Sequence, residues 1–181
     1  MVAYSKGMEV GTPAPPFSLP GIDGKTYALD SFADVLVVVF TCNHCPYAKA
    51  VEDRLIALQR DYAPRGVRLV AINPNDDKAY PEDSFAKMVE RAQQKGFNFP
   101  YLRDDSQAVA RAYDAACTPD IFVFGKERKL VYNGRLDDSW QDPAKVQRQD
   151  LRRALDAALE GRSVDFEPVP SMGCSIKWKN A

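Results

Sequence analysis

The chain has 181 residues, 45% hydrophobic and 27% charged, enough apolar material to bury a full core within the ordinary size of one domain. Its 24 basic residues are balanced by 25 acidic ones, so no excess positive charge draws in a polyphosphate backbone or an anionic bilayer. Nucleic acid and membrane are not expected partners.

Met1 to Gly11 carries no basic patch followed by an apolar run, and the longest apolar run, Val35 to Phe40, is far too short to span a bilayer. A soluble cytoplasmic protein is expected. Val10 to Gly24 is rich in proline and glycine, which excludes a helix and favours an extended lead-in pinned by Phe17 and Leu19. Ile22 to Lys25 reads as a hairpin turn before a short strand, Tyr27 to Leu29, at a sheet edge.

Val35 to Phe40 is an unbroken β-branched and aromatic run, the pattern of a strand covered on both faces. Beyond Pro46, Ala48, Val51, Leu55, Leu58 and Tyr62 recur at helical spacing until Pro64 and Gly66 end the pattern. Val67 to Ile72 is the next strand, closed by a loop over Asn73 to Asp77. A helix is predicted from Pro81 to Lys95, a short extended piece over Phe97 to Leu102, and a helix from a Ser106 cap to Ala115. Ile121 to Phe124 and Lys129 to Tyr132 read as an antiparallel pair, and Pro143 to Glu160 as an amphipathic helix stopped by Gly161.

Strands alternating with helices, then a hairpin and a last helix, describe an α/β sandwich around a central sheet, with no internal repeat. One domain is expected over 1–181. Its last part, 162–181, lacks periodicity, yet Phe166, Met172, Ile176 and Trp178 give it apolar surface with which to pack back as a docked tail.

Cys42-Asn43-His44-Cys45-Pro46 puts two sulfurs at a strand-to-helix junction. Free amides and the helix dipole favour a thiolate there, so Cys42, read as lying on the first turn, is the expected nucleophile. Its attack on a substrate disulfide would form a mixed disulfide that Cys45 resolves, leaving the protein oxidised and the substrate reduced. His44, the only histidine, would as an imidazolium stabilise the thiolate form and make the oxidised protein a stronger oxidant; the bland alternative is a solvent-facing loop residue. A structural zinc site would need two more ligands, and Cys117 and Cys174 are single residues far apart in the chain. Two inert core thiols are the other structural alternative. Copper carriage through Cys42, His44 and Cys45 meets awkward chelation, because His44 adjoins Cys45.

The apolar strand, the Cys42–Pro46 motif with its following helix, and Thr118-Pro119 before the strand at Ile121 together resemble the thioredoxin-like superfamily over roughly residues 10–160. The stretch from Asn73 to Arg103 resembles the larger redoxins, the TlpA-like and alkyl hydroperoxide reductase groups. The resemblance implies a three-layer sandwich with a central mixed sheet, an N-terminal extension and an inserted strand-helix segment. It implies a thiol-disulfide oxidoreductase needing no cofactor or metal, whose partners are a disulfide-containing protein or small disulfide and a thiol or dithiol reductant. It also implies a cis Pro119 facing the cysteines, with Thr118 presenting backbone to an incoming peptide as an added strand.

Two departures from the family pattern matter. Thr41 stands where thioredoxins have tryptophan, and the strand before it carries no acid, so the proton acceptor for Cys45 is not evident. Glu52, seven residues beyond Cys45, lies about 10 Å along the helix and is too far, which leaves a water or a residue of the inserted segment. A peroxiredoxin-like thiol peroxidase is the alternative reading; Val39 replaces its usual threonine, so Thr41 and Arg135 would have to take unusual roles. Cys117 and Cys174 are candidates for a secondary redox role, weighed against buried or packed small residues.

Overall fold

In the computed structural model, which describes residues 1–32 and 34–179, the chain opens with β1 (Val2–Tyr4) and then the hairpin of β2 (Ser18–Pro20) and β3 (Thr26–Ala28). Next come β4 (Val35–Phe40), with all six residues buried, and α1 (Pro46–Tyr62). Gly66 adopts the left-handed conformation (φ 86°) that turns the chain from α1 into β5 (Val67–Asn73). The remaining elements are α2 (Phe85–Lys95), β6 (Tyr101–Arg103), α3 (Ala108–Ala112), β7 (Cys117–Thr118), β8 (Asp120–Phe124), β9 (Leu130–Asn133), α4 (Asp150–Leu159) and β10 (Met172–Ser175). No helix among the described residues is long and apolar enough to cross a membrane.

The central sheet has the order β6-β5-β4-β8-β9, parallel from β6 to β4 and antiparallel from β4 to β9. Successive residues of β4 point to opposite faces, and both faces are covered, which is why its sequence shows no polar alternation. Val35, Val37 and Val39 pack with Leu55 and Leu58 of α1, Met88 of α2 and Leu155 of α4. Leu36, Val38 and Phe40 pack on the other side with Phe17, Leu19, Tyr113 and Ile176. The result is the expected three-layer α/β sandwich with a mixed sheet. The β2–β3 hairpin lies beside its β6 edge, where Gly21 bridges Leu102.

Three helix boundaries differ from expectation for local reasons. Pro81–Asp83 forms a 3-10 turn, Ser84 is extended, and α2 starts only at Phe85. Gln107, not Ser106, is the N-cap of α3, although the Ser106 hydroxyl accepts from the Ala108 amide, and the helix ends at Ala112 instead of Ala115. Pro143–Lys145 is likewise a separate 3-10 turn, and α4 begins at Asp150. The buried Asp150 carboxylate takes Arg135 Nε at 2.7 Å, which anchors that helix start to the body.

The tail contains an element that periodicity does not reveal. Residues of β10 pair antiparallel with β1 on one side and β7 on the other, building a second, three-stranded sheet from the two ends of the chain and the segment before Pro119. Ile176 is buried, and the Trp178 ring lies under the Arg111 guanidinium. Asn180 and Ala181, the end of the expected tail, lie outside the described residues.

Candidate active site

Cys42 lies two residues beyond the end of β4, after Thr41, and not on the first turn of α1; Cys45 is the N-cap residue, and Pro46 opens the helix. Both sulfurs are sealed, Cys42 being 1% and Cys45 0% exposed. Thr118 meets both. Its hydroxyl lies 3.2 Å from Cys42 Sγ, and its carbonyl oxygen accepts from Cys45 Sγ at 3.2 Å. The Thr118–Pro119 peptide is cis, as the resemblance implied.

The two cysteines shift each other's ionisation in opposite directions. The Cys42 thiol donating to the Cys45 sulfur, with help from the Cys174 thiol and nearby amides of Ala48 and Cys174, draws the Cys45 pKa down to about 4. The same hydrogen bond, burial and the Asp83 carboxylate push Cys42 well above the usual thiol range. Thr118 acts in the opposite sense, because its carbonyl holds a proton on Cys45 while its hydroxyl can donate one to a Cys42 anion. The electrostatics of the pair thus favour the negative charge on Cys45, whereas the two Thr118 contacts favour it on Cys42.

Asp83, in the inserted segment, is the residue that sequence reasoning did not name, although that segment was one of two sources considered for a proton acceptor. It is fully buried and accepts from the Asn43 amide at 2.6 Å, from Asn75 Nδ2 at 2.9 Å and from Asn73 Nδ2 at 3.3 Å. Its other contact is His44 Nδ1 at 2.5 Å. Burial pushes the Asp83 carboxyl up, but His44, Asn75 and the Asn43 amide together hold it below the usual range. Asp83 in turn raises the His44 pKa above that of a free imidazole. The His44 ring stacks on Tyr80, 5.1 Å between centroids, so it is fixed in place. Asn43 also accepts from Tyr101 Oη at 2.8 Å, which ties the Cys-x-x-Cys loop to β6. An Asx-rich loop followed by an acidic turn was the available signal for Asp83; which site it served was not in the local pattern.

The strand register sorts the other two cysteines. Cys174 lies opposite Thr118 and Ser175 opposite Cys117. Neighbours across a ladder share a face, so Cys174 joins Thr118 on the side of the redox pair, while Cys117 points away. Cys174 packs against the cluster of Cys42, Cys45 and Ala48. Cys117 turns its sulfur toward the carbonyls of Pro119 and Ser171, and burial raises its pKa far above the thiol range. The free edge at which Thr118 was expected to receive a peptide is taken up by β10. Beside Pro119 a groove of about 240 Å³ remains, lined by Tyr4, Val51, Trp140 and Met172 among others.

Cys42, His44 and Asp83 place one donor atom each within 4.8 Å of one another, a set of metal-ligand type. Both Asp83 oxygens already accept hydrogen bonds from three nitrogen groups besides His44, and that saturation fits a positioning carboxylate better than a free ligand. Glu52 pairs with Arg91, 3.0 Å from Oε1 to Nε. Arg135 is committed to Asp150, and Thr41 is buried. Among the described residues no arginine hydrogen-bonds either redox sulfur, so peroxide polarisation by Arg135 finds no geometric support.

The strand order, the flanking helices and the cis peptide set against the cysteine pair define a redoxin with the thioredoxin-like fold. The chain belongs to the AhpC/TSA family, which matches residues 10–133. It is similar over its whole length to the crystal structure of an uncharacterized conserved protein from Geobacillus kaustophilus, with 46% identity, a TM-score of 0.95 and 98% of that chain covered. A hypothetical protein from Sinorhizobium meliloti is 42% identical, with a TM-score of 0.94, 98% of this chain and 99% of that one. A thiol:disulfide interchange protein of the thioredoxin family from Chlorobium tepidum shares the fold at 20% identity, with a TM-score of 0.65 over 84% of this chain and 99% of that one. A search of the curated proteins finds no match.

Proposed function

We propose that the protein is a thiol-disulfide oxidoreductase that cycles Cys42 and Cys45 between dithiol and disulfide, with Cys42 attacking and Cys45 resolving. The observation that carries this reading is the double contact of Thr118, a hydroxyl on Cys42 and a carbonyl on Cys45, each at 3.2 Å. That polarity keeps the proton on Cys45 when Cys42 needs to be the anion. The Cys42 thiolate attacks one sulfur of a substrate disulfide, forming a mixed disulfide and expelling a substrate thiolate. Cys45 gives up its proton and attacks the Cys42 sulfur, which forms the Cys42–Cys45 disulfide and releases the second substrate thiol. Two electrons have passed to the substrate, and a thiol or dithiol reductant restores them.

His44, raised toward its cationic form by Asp83, stabilises the pair's negative charge. Substrate access requires the cover over the two sulfurs to open, since both are sealed and strand addition at Thr118 requires β10 to yield. The test is reduction of insulin by the full chain in the presence of dithiothreitol, together with equilibration in glutathione buffers. Cys42→Ser is expected to fall to the uncatalysed background, and Cys45→Ser to accumulate a mixed disulfide on Cys42. Full activity in Cys42→Ser, or a mixed disulfide trapped on Cys45 instead, would overturn the assignment. Hydrogen peroxide consumption by the same variants separates a reductase from a thiol peroxidase.

A further inference from the structure

Cys174 lies in the tail, more than 120 residues after the redox pair in sequence, yet three features bring it to that pair. The register of β10 on β7 sets it directly opposite Thr118, the residue that holds both redox sulfurs. It packs on the small cluster formed by Cys42, Cys45 and Ala48. The segment that carries it is anchored, because the Lys177 amide donates to Asn75 Oδ1 at 2.9 Å and its carbonyl accepts from the Asp76 amide at 2.8 Å.

We propose that Cys174 is a third redox-active thiol of this site, which exchanges with the Cys42–Cys45 disulfide to form a Cys45–Cys174 disulfide. The proposal rests on the redox reading of Cys42 and Cys45 given above. The Cys174 sulfur attacks the Cys45 sulfur; the Cys45–Cys174 bond forms as the Cys42–Cys45 bond breaks, and the proton lost by Cys174 is gained by Cys42. No external oxidant or reductant enters this step, since the protein remains oxidised by two electrons throughout. In the reduced protein burial and the neighbouring Cys45 sulfur keep Cys174 protonated, with its pKa up at about 11. Once Cys45 is held in a disulfide its negative charge is gone, and its share of the restraint on Cys174 ends while that of burial remains. The exchange returns Cys42 to a free thiol and stores the oxidised state in a bond that fastens the tail strand over the site until an external thiol or dithiol reductant opens it.

Oxidation of the full chain with oxidised glutathione, alkylation and non-reducing tryptic mapping test this. Cys42 and Cys45 share the peptide 26–49, Cys174 lies on 163–177 and Cys117 on 112–126, so the candidate bonds are distinguishable. A cross-link between 26–49 and 163–177 is expected in the wild type and in Cys42→Ser, and its loss is expected in Cys45→Ser and Cys174→Ser. An internal disulfide in 26–49 of the wild type, with no cross-link in either the wild type or Cys42→Ser, would overturn the role of Cys174 and leave the Cys42–Cys45 reading standing. Absence of both bonds would overturn both. A cross-link that persists in Cys45→Ser but vanishes in Cys42→Ser would assign the exchange to the wrong sulfur and also overturn the proposal.

Discussion

At the level of single side chains, the reactivity of the cysteine pair is set by Thr118 and Asp83, neither of which adjoins it in sequence. The Thr118 hydroxyl favours a Cys42 anion, so Thr118→Val, which keeps shape and removes that donor, is expected to slow alkylation of Cys42 by iodoacetamide at pH 7 by about tenfold, the worth of one hydrogen bond. An unchanged rate would remove Thr118 from the mechanism. Asp83 and His44 form the other control. Folded His44 holds its proton more tightly than the unfolded chain does, so this contact stabilises the fold fully below about pH 6.5, and the contribution is lost as pH rises through the raised folded-state pKa. The NMR titration midpoint of His44 is expected to drop in Asp83→Asn, and the same change is expected to lower stability at pH 7, because it breaks a part-buried ion pair whose carboxylate is fully buried. A midpoint that stays put would show that Asp83 does not set the His44 charge.

Among the elements, β10 governs access to the site although it has the least distinctive sequence of any strand. Met172, Gly173, Cys174 and Ser175 offer neither β-branched residues nor alternation, and the segment is a strand because β1 and β7 flank it. Gly173 is needed at the crossing with Thr118, since a Cβ there would collide with the Thr118 carbonyl oxygen. Gly173→Ala is therefore expected to cost about 1 to 3 kcal/mol, as overpacking does, and to push β10 off the Thr118 edge. Maleimide labelling of Cys45 and Cys174 in the reduced protein is expected to accelerate; equal rates in variant and wild type would mean that β10 does not cover the sulfurs. The helices teach a related lesson. The periodicity of α1 is plain, whereas the starts of α2 and α4 are hidden, because Asp83 lies in a 3-10 turn before α2 and turns to His44, and Asp150 fixes the start of α4 only through its contact with Arg135.

For the molecule as a whole, the two chain ends close over the active site, with the Ser5 amide donating to the Ser171 carbonyl at 2.9 Å. The joint between this small sheet and the central one is Asp120, buried directly after Pro119. It accepts from the Ala116 amide at 3.0 Å and from Asn133 Nδ2 at 3.3 Å, and Asn133 Oδ1 accepts from the Met8 amide at 3.2 Å. Burial raises the Asp120 pKa to about 6. The folded chain therefore binds this proton more tightly than the unfolded chain, and the stabilisation present at low pH is lost as pH rises through about 6. Relative to Asp120→Asn, the wild type is expected to lose stability in urea denaturation as pH climbs from about 4 to about 6. Parallel pH profiles for the two proteins would contradict the assignment.

The sequence by itself determined the covered strand Val35–Phe40, the helix after Pro46, the Cys-x-x-Cys at their junction and the Thr-Pro pair before the next strand. These are recorded in local periodicity and in residue types whose backbone preferences act over a few positions. Only the tertiary structure decided that Asp83 would reach His44, that Cys174 rather than Cys117 would face the redox pair, and that the tail would occupy the edge of β7. Cys45, not Cys42, became the helix cap, and only the precise start of α1 shows it. Such partnerships depend on how distant loops and chain ends pack on the sheet; a strand's register then sorts two otherwise equivalent cysteines onto opposite faces, and neither leaves a mark in the spacing of the residues themselves.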